Sequence, residues 1–82
     1  MDIRQRLSLN LRQLRQSKGW SQEEFAFLAG LHRTYVSDLE RGARNPTIAV
    51  VDKLAMALGV PVGALLDRKT LGQADESDRS PE

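Results

Sequence analysis

The 82-residue chain contains no cysteine and a single histidine, His32. Without thiols it cannot form a disulfide framework, an iron–sulfur cluster or a zinc-thiolate finger, and one imidazole does not make a zinc site. Aromatic residues are only 5% of the chain, which disfavours a platform on which single-stranded bases stack. No stretch approaches the roughly 20 apolar residues of a membrane span, and no apolar run follows the N-terminus as in a signal peptide. We therefore expect a soluble, cytoplasmic domain that needs no cofactor, metal or membrane.

Charge is distributed unevenly along the chain. Residues 1–69 carry 11 Lys or Arg against 7 Asp or Glu, whereas residues 70–82 carry 1 Arg against 4 acidic residues. We expect one domain over residues 1–68 and a disordered acidic tail over 69–82, because that tail holds too few apolar residues to offset the entropy of ordering. A modestly basic body is compatible with a polyanionic partner, although many ordinary domains have a similar charge.

Apolar residues recur with helical periodicity, and no window alternates with the period of a strand. The pattern predicts an all-α fold of five helices at about 3–17, 21–29, 33–41, 48–58 and 61–67. Capping residues precede the second and fourth helices at Ser21 and Thr47, and glycines follow the first four. The expected core positions include Ile3 in the first helix, Leu28 in the second and Ile48 in the fourth.

The stretch from Gln22 to Arg41 has the pattern of a helix-turn-helix. Its two short helices flank Gly30, a position that requires the positive φ that a Cβ would oppose. Ala26 is small where the two helices approach each other closely. Apolar residues face a common core at positions 25, 29, 31, 36 and 39. Together these constraints make the pattern a specific signal.

The strings Ser-Gln-Glu-Glu-Phe-Ala at 21–26 and Gly30 to Thr47 resemble the Xre/Cro-C1 helix-turn-helix family, over about residues 6–67. Within it, His-Arg-Thr-Tyr-Val-Ser at 32–37 and Arg-Asn-Pro-Thr-Ile at 44–48 closely resemble controller proteins of restriction–modification systems, although many stand-alone regulators share these strings. The resemblance implies a compact lambda-repressor-like domain of five helices. It also implies a transcriptional regulator that binds double-stranded operator DNA as a two-fold dimer.

The second helix of such a motif enters the major groove and presents its N-terminal residues to base edges. These residues are His32, Arg33 and Thr34, with Ser37 one turn further along the same face. Arg33 can bind guanine O6 and N7 with two hydrogen bonds, and Thr34 can contact a thymine methyl group. An exposed arginine is usually only a solvated charge, but this position favours a base contact for Arg33. His32 is equally well interpreted as a residue that merely starts the helix.

Five further residues are expected at the DNA backbone. Tyr35 lies to the side of the base-contacting face of the recognition helix, where its hydroxyl can contact a phosphate. Gln22 opens the first helix of the motif, where its amide and the helix N-terminus can hold a phosphate, and the resemblance implies the same contact. Arg41, Arg44 and Asn45 follow the recognition helix on a loop that lies near the backbone in relatives. For each of these three, a merely solvated loop is an equally good interpretation.

Two acidic residues of the motif receive other roles. Asp38 is assigned no DNA contact, because a carboxylate repels phosphates unless it accepts from a cytosine or orients Arg33 or Arg41. The resemblance implies that Arg15 and Glu40 form a structural ion pair. Losing one partner of such a buried pair would cost roughly 3–5 kcal/mol, because the other charge is left stranded.

An apolar cluster surrounds the short fifth helix at Val60, Val62, Leu65 and Leu66. It offers more apolar surface than so small a body can cover, and the resemblance implies that this end of the domain forms the dimer interface. We therefore predict a C2 homodimer whose isologous contact runs through the fifth helix.

Other function classes stay open beside the DNA-binding regulator. An antitoxin-type module would neutralise a partner protein and bind DNA secondarily, but the short tail at 69–82 has almost no apolar anchors for wrapping a partner. A contact with RNA polymerase also stays open. An enzyme is the weakest alternative, because the sequence shows no nucleophile–base pair, phosphate-cradling glycine loop or metal cluster. The operator, the sign of regulation and any effector do not follow from the sequence.

Overall fold

The computed structural model describes residues 2–68. Within this range the chain forms five helices: α1 (Ile3–Ser17), α2 (Gln22–Ala29), α3 (Arg33–Glu40), α4 (Ile48–Leu58) and α5 (Val62–Leu66). No strand occurs within the described residues, and the predicted all-α fold is confirmed. None of the helices over this range is long and apolar enough to cross a membrane. The tail predicted at 69–82 lies outside the described residues.

Side-chain caps determine where the helices begin. Ser21 Oγ accepts the backbone N–H of Glu24 at 3.0 Å, and Glu24 Oε1 accepts the N–H of Ser21 at 2.8 Å. This is the capping box that the sequence predicts for α2. Thr47 Oγ1 likewise accepts the N–H of Val50 at 3.2 Å and starts α4. Pro61 is the N-cap of α5 rather than a first-turn residue, because its ψ of 154° is extended.

The turn between α2 and α3 depends on Gly30. This residue ends α2 with φ of +73°, as predicted, and the next N–H, that of Leu31, donates to Ala26 O at 2.9 Å. The left-handed turn reverses the chain so that α3 packs back against α2. At its other end α3 finishes at Glu40, one residue earlier than predicted, because Arg41 is its C-cap.

The core lies where α1, α2, α3, α4 and α5 converge. Its fully buried large side chains are Phe25, Leu11, Leu39, Leu54, Leu58, Leu65 and Val36. Trp20 stacks on Phe25 with ring centroids 6.0 Å apart and extends the core to the junction of α1 and α2. The two helices of the helix-turn-helix are thus held by one apolar cluster.

Three side chains that the sequence assigned to the core are exposed instead. Ile3 is 49%, Leu28 51% and Ile48 82% exposed. Ile3 and Ile48 are the first residues of α1 and α4, and helical side chains point toward the N-terminus, so they extend past the packed part of each helix. Leu28 lies about 60° round α2 from Phe25, on the side away from Ala29.

Buried and partly buried polar contacts hold α5 against α1. Asn10 Nδ2 donates to Leu65 O at 2.9 Å and to Asp67 O at 2.6 Å, and Arg6 Nε donates to Leu66 O at 3.0 Å. These carbonyls stand at the end of α5, where no further helical N–H follows. The same packing buries the Leu65 side chain completely. Leu65, which the sequence analysis placed in the dimer contact, is therefore part of the core of its own chain.

Candidate nucleic-acid interface

The N-terminal part of α3 presents a polar face to solvent. Arg33 and Thr34 are exposed, and Ser37 is half-buried one turn beyond Arg33. The opposite face of the helix carries Val36 and Leu39, both essentially fully buried. Because burial fixes one side of α3 against the core, the other side is held in a defined orientation. The predicted base-contacting residues of α3 are thus brought to one surface.

His32 lies at the edge of this surface. It is the N-cap of α3, with extended backbone angles of −78° and 146°, and its side chain makes no capping hydrogen bond. The imidazole is exposed beside Arg33. His32 therefore starts the helix through its backbone, while its side chain does not serve the cap.

The arginines that follow α3 are held by a carboxylate of the same helix. Arg41 Nη2 donates to Asp38 Oδ1, and Arg44 Nε donates to Asp38 Oδ2 at 3.3 Å. The Arg44 guanidinium also lies over the Tyr35 ring, 4.8 Å from its centroid. The hydrogen bond from Arg41, and secondarily that from Arg44, lowers the pKa of Asp38. Sequence reasoning considered Arg41 as a partner of Asp38 but missed Arg44, because the turn that brings it back is tertiary geometry.

Asn45 and Gln22 are two further residues that the sequence predicts to contact the DNA backbone. Asn45 is exposed on the loop between α3 and α4, and Gln22 is half-buried at the first position of α2. Gln22 Nε2 donates to Glu40 Oε1 at 3.0 Å. One of the two amide hydrogens of Gln22 is thus used inside the protein, where the sequence predicted only a contact with phosphate.

Glu40 connects α3 to α1 and is only 3% exposed. Arg15 Nε and Nη2 donate to its two oxygens at 2.6 and 2.9 Å, and Arg15 Nη1 donates to Trp20 O at 2.8 Å. The structure therefore contains the ion pair between Arg15 and Glu40 that the resemblance implied. The hydrogen bond with Glu40 raises the pKa of Arg15. Arg12, which the sequence analysis missed, adds a bond from Nη2 to Glu40 O at 3.2 Å; it lies one turn before Arg15 on α1.

An apolar groove runs between the start of α1, the start of α4 and the end of α5. It has a volume of about 160 Å³, and its lining residues are Ile3, Arg4, Leu7, Asn45, Pro46, Ile48, Val51 and Leu66. Of the predicted dimer residues, Leu66 lines this groove, and Val60 and Val62 are half-buried against the core. Sequence reasoning did not connect Ile3 and Ile48 with this surface because their spacing assigned them to the interior.

Comparison with known proteins identifies the family. A profile of the helix-turn-helix family matches residues 11–65. The chain belongs to the Xre/Cro-C1 helix-turn-helix family. This helix-turn-helix protein is 45% identical over 76 residues to the control protein C.BamHI of Bacillus amyloliquefaciens, covering 92% of this chain and 94% of that protein. The similarity to controller proteins that the sequence strings indicated is confirmed.

Solved structures agree with this assignment. The restriction–modification controller protein C.AhdI from Aeromonas hydrophila matches with a TM-score of 0.73 and 45% identity, over 76% of this chain and 90% of that one. The controller protein C.Esp1396I, solved as a tetramer in complex with its natural 35 base-pair operator, matches with a TM-score of 0.73 and 31% identity, over 79% and 86% of the two chains. The relatives of this helix-turn-helix protein are thus regulators, one of them solved on operator DNA.

Proposed function

We propose that this protein is a sequence-specific regulator of transcription that binds a palindromic operator in double-stranded DNA as a C2 homodimer. The observation that carries the proposal is the orientation of α3. Its inner face is locked into the core by Val36 and Leu39, while Arg33 and Thr34 are exposed at the end that enters the major groove in helix-turn-helix proteins.

Base recognition is assigned to the first turns of α3. The Arg33 guanidinium matches the O6 and N7 acceptors of guanine with two parallel hydrogen bonds, a geometry that lysine matches less well. Thr34 offers a methyl group and a hydroxyl to a thymine or adenine edge, and Ser37 lies one turn deeper along the helix. We assign His32 a contact with a flanking base, because its imidazole makes no capping hydrogen bond.

Phosphate contacts are assigned to the residues around the C-terminal end of α3 and the start of α2. Arg41 and Arg44 use only part of their five N–H donors on Asp38, and their side chains are 62% and 50% exposed. We assign further phosphate contacts to Asn45, to the Tyr35 hydroxyl and to the second amide hydrogen of Gln22 at the N-terminus of α2. These phosphate contacts would fix the position of α3 on the duplex, and they do not depend on the base sequence of the DNA.

The dimer contact is assigned to the groove between α1, α4 and α5. Ile48, which is 82% exposed, and Leu66 both line this groove. A second copy related by a two-fold axis would cover both, with Val60 and Val62 at the edge of the contact. This placement revises the interface expected from the sequence, since it adds Ile3 and Ile48 and omits Leu65. As in other helix-turn-helix dimers, we expect the two α3 helices to lie about 34 Å apart, one turn of DNA.

Selection of bound fragments from a random duplex library tests the proposal. We expect a palindromic motif with half-sites about one turn apart. On that motif Arg33→Ala should weaken binding by about 1–3 kcal/mol per half-site and change the affinity for a scrambled duplex little. Lys53→Ala, which removes an equal charge from the exposed side of α4, is the matched control and should preserve the preference. An equal loss on both duplexes would make Arg33 a phosphate contact, and failure to enrich any motif would reject the proposed function.

A further inference from the structure

Asp38 places a negative charge on the helix proposed to enter DNA, and the fold covers that charge with two arginines. Both carboxylate oxygens accept from guanidinium groups, one from Arg41 and one from Arg44. The Asp38 side chain is only 18% exposed, whereas those of Arg41 and Arg44 are 62% and 50% exposed. The carboxylate thus lies beneath the two cations, and their outer donors remain accessible.

This arrangement restricts where the two cations can be. Arg44 is held from one side by Asp38, and its guanidinium lies over the Tyr35 ring, 4.8 Å from the centroid. An arginine without such partners samples many rotamers, so it can bind a phosphate wherever along the duplex the protein lies. Arginines held on a carboxylate present their remaining donors in one geometry, which suits the phosphates only when α3 is seated in its proper groove.

Asp38 also changes the charge that any DNA would meet. Together Asp38, Arg41 and Arg44 carry a formal charge of +1, whereas the two arginines alone would carry +2. Non-specific binding depends almost wholly on such charge, because it arises from the release of counterions from the phosphates. The Asp38 carboxylate therefore weakens non-specific binding to DNA more than it weakens binding to the operator.

We propose that Asp38 is a specificity-determining residue that orients Arg41 and Arg44 toward the operator phosphates and lowers the affinity of the protein for other DNA. The inference rests on the proposed function, since it concerns the same DNA-binding surface. Asp38 acts as a positioning residue and makes no base contact of its own.

Asp38→Asn tests the proposal, because it keeps the shape of the side chain and removes its charge. Affinities for the selected operator and for a scrambled duplex of equal length are measured over a series of salt concentrations. We expect affinity for the scrambled duplex to rise several-fold and its log–log salt slope to steepen by up to about 2 per dimer. Affinity for the operator should rise less or fall, so that the ratio of the two affinities drops by about tenfold.

Two controls separate position from charge. Asp52→Asn removes the same charge from an exposed site on α4 and should leave the ratio unchanged. Asp38→Glu keeps the charge but displaces both guanidinium groups by one methylene. It should keep non-specific binding weak and reduce operator binding, and it also tests the inference if Asp38→Asn does not fold.

In an Arg44→Ala background the effect of Asp38→Asn should shrink, because one of the groups that Asp38 positions is gone.

The outcomes distinguish this inference from the proposed function. Wild-type protein that prefers no duplex would reject the proposed function, whatever Asp38 does. The inference would be overturned if the wild type prefers the operator but Asp38→Asn, like Asp52→Asn, changes the affinities for both duplexes by the same factor. The proposed function would then still stand.

Discussion

At the residue scale, arginines of identical chemistry differ in this protein through their partners. Arg15 is held inside the fold by a nearly buried glutamate, Glu40. Arg44 is held at the surface by Asp38 and the Tyr35 ring, and Arg33 is exposed at the start of α3. The first is therefore suited to stability, the second to a fixed phosphate contact, and the third to adaptable recognition of a base edge.

The ionisation of Asp38 offers a residue-scale prediction. The hydrogen bonds from Arg41 and Arg44 lower its pKa below the ordinary value of 3.8. A group whose pKa is lower in the folded protein stabilises the fold above the unfolded pKa, and this contribution is lost as the pH falls through the folded pKa. NMR titration of the Asp38 carboxyl carbon should therefore show a midpoint below 3.8 in the wild type and a higher midpoint in Arg41→Ala. A wild-type midpoint at or above 3.8 would show that the ion pairs do not persist in solution.

At the element scale, the α2–α3 turn depends on a backbone conformation rather than on packing. Gly30 has φ of +73°, and a Cβ built there would meet nothing within 4 Å. We predict that Gly30→Ala lowers the free energy of unfolding by about 1–2 kcal/mol through backbone strain alone. Gly63→Ala is the matched control, because Gly63 has the same open space without a positive φ, and it should be neutral or stabilising by about 0.4–1 kcal/mol. Denaturant unfolding measures both, and equal effects would contradict this account.

The contact between α1 and α3 depends on the ion pair of Arg15 and Glu40. Glu40→Ala should destabilise the fold by roughly 3–5 kcal/mol, because it leaves the Arg15 charge without its partner in a largely buried site. Replacing both residues in Arg15→Met/Glu40→Leu should cost much less than the single change. Asp52→Ala at an exposed position should stay within about 0.5 kcal/mol of the wild type. A double variant as unstable as Glu40→Ala would mean that the hydrogen bond from Gln22 to the Glu40 carboxylate matters more than the stranded charge.

At the scale of the whole molecule, the apolar groove proposed as the dimer contact can be tested by charge. Ile48→Glu would place a carboxylate in the centre of that contact, and we predict that the sedimentation coefficient falls to that of a monomer at micromolar concentration, with operator binding weakened in parallel. Met56→Glu is the matched control, since Met56 is 72% exposed on the same helix but does not line the groove. Loss of the dimer in Met56→Glu alone would move the interface to the surface of α4 around Met56.

Local sequence by itself determined the helices and their ends. Ser21, Thr47 and Gly30 act on neighbouring backbone groups, so their effect does not depend on distant parts of the chain. Periodicity likewise identified Val36 and Leu39 as the inner face of α3, and with it the face left for Arg33. The exposed polar face of α3, proposed above as the surface that reads DNA, was predictable because it lies on a single helix.

Tertiary structure alone decided which apolar side chains are covered and which charges are paired. Leu65 and Ile48 are both apolar residues of helices, yet one is fully buried and the other 82% exposed. Periodicity cannot distinguish them, because burial depends on which neighbouring element reaches the end of a helix. The pairing of Arg44 with Asp38 also required the path of the chain after α3. Such contacts join side chains that a turn of the chain brings together. The helix and turn preferences of the individual residues do not determine which of these side chains come within bonding distance.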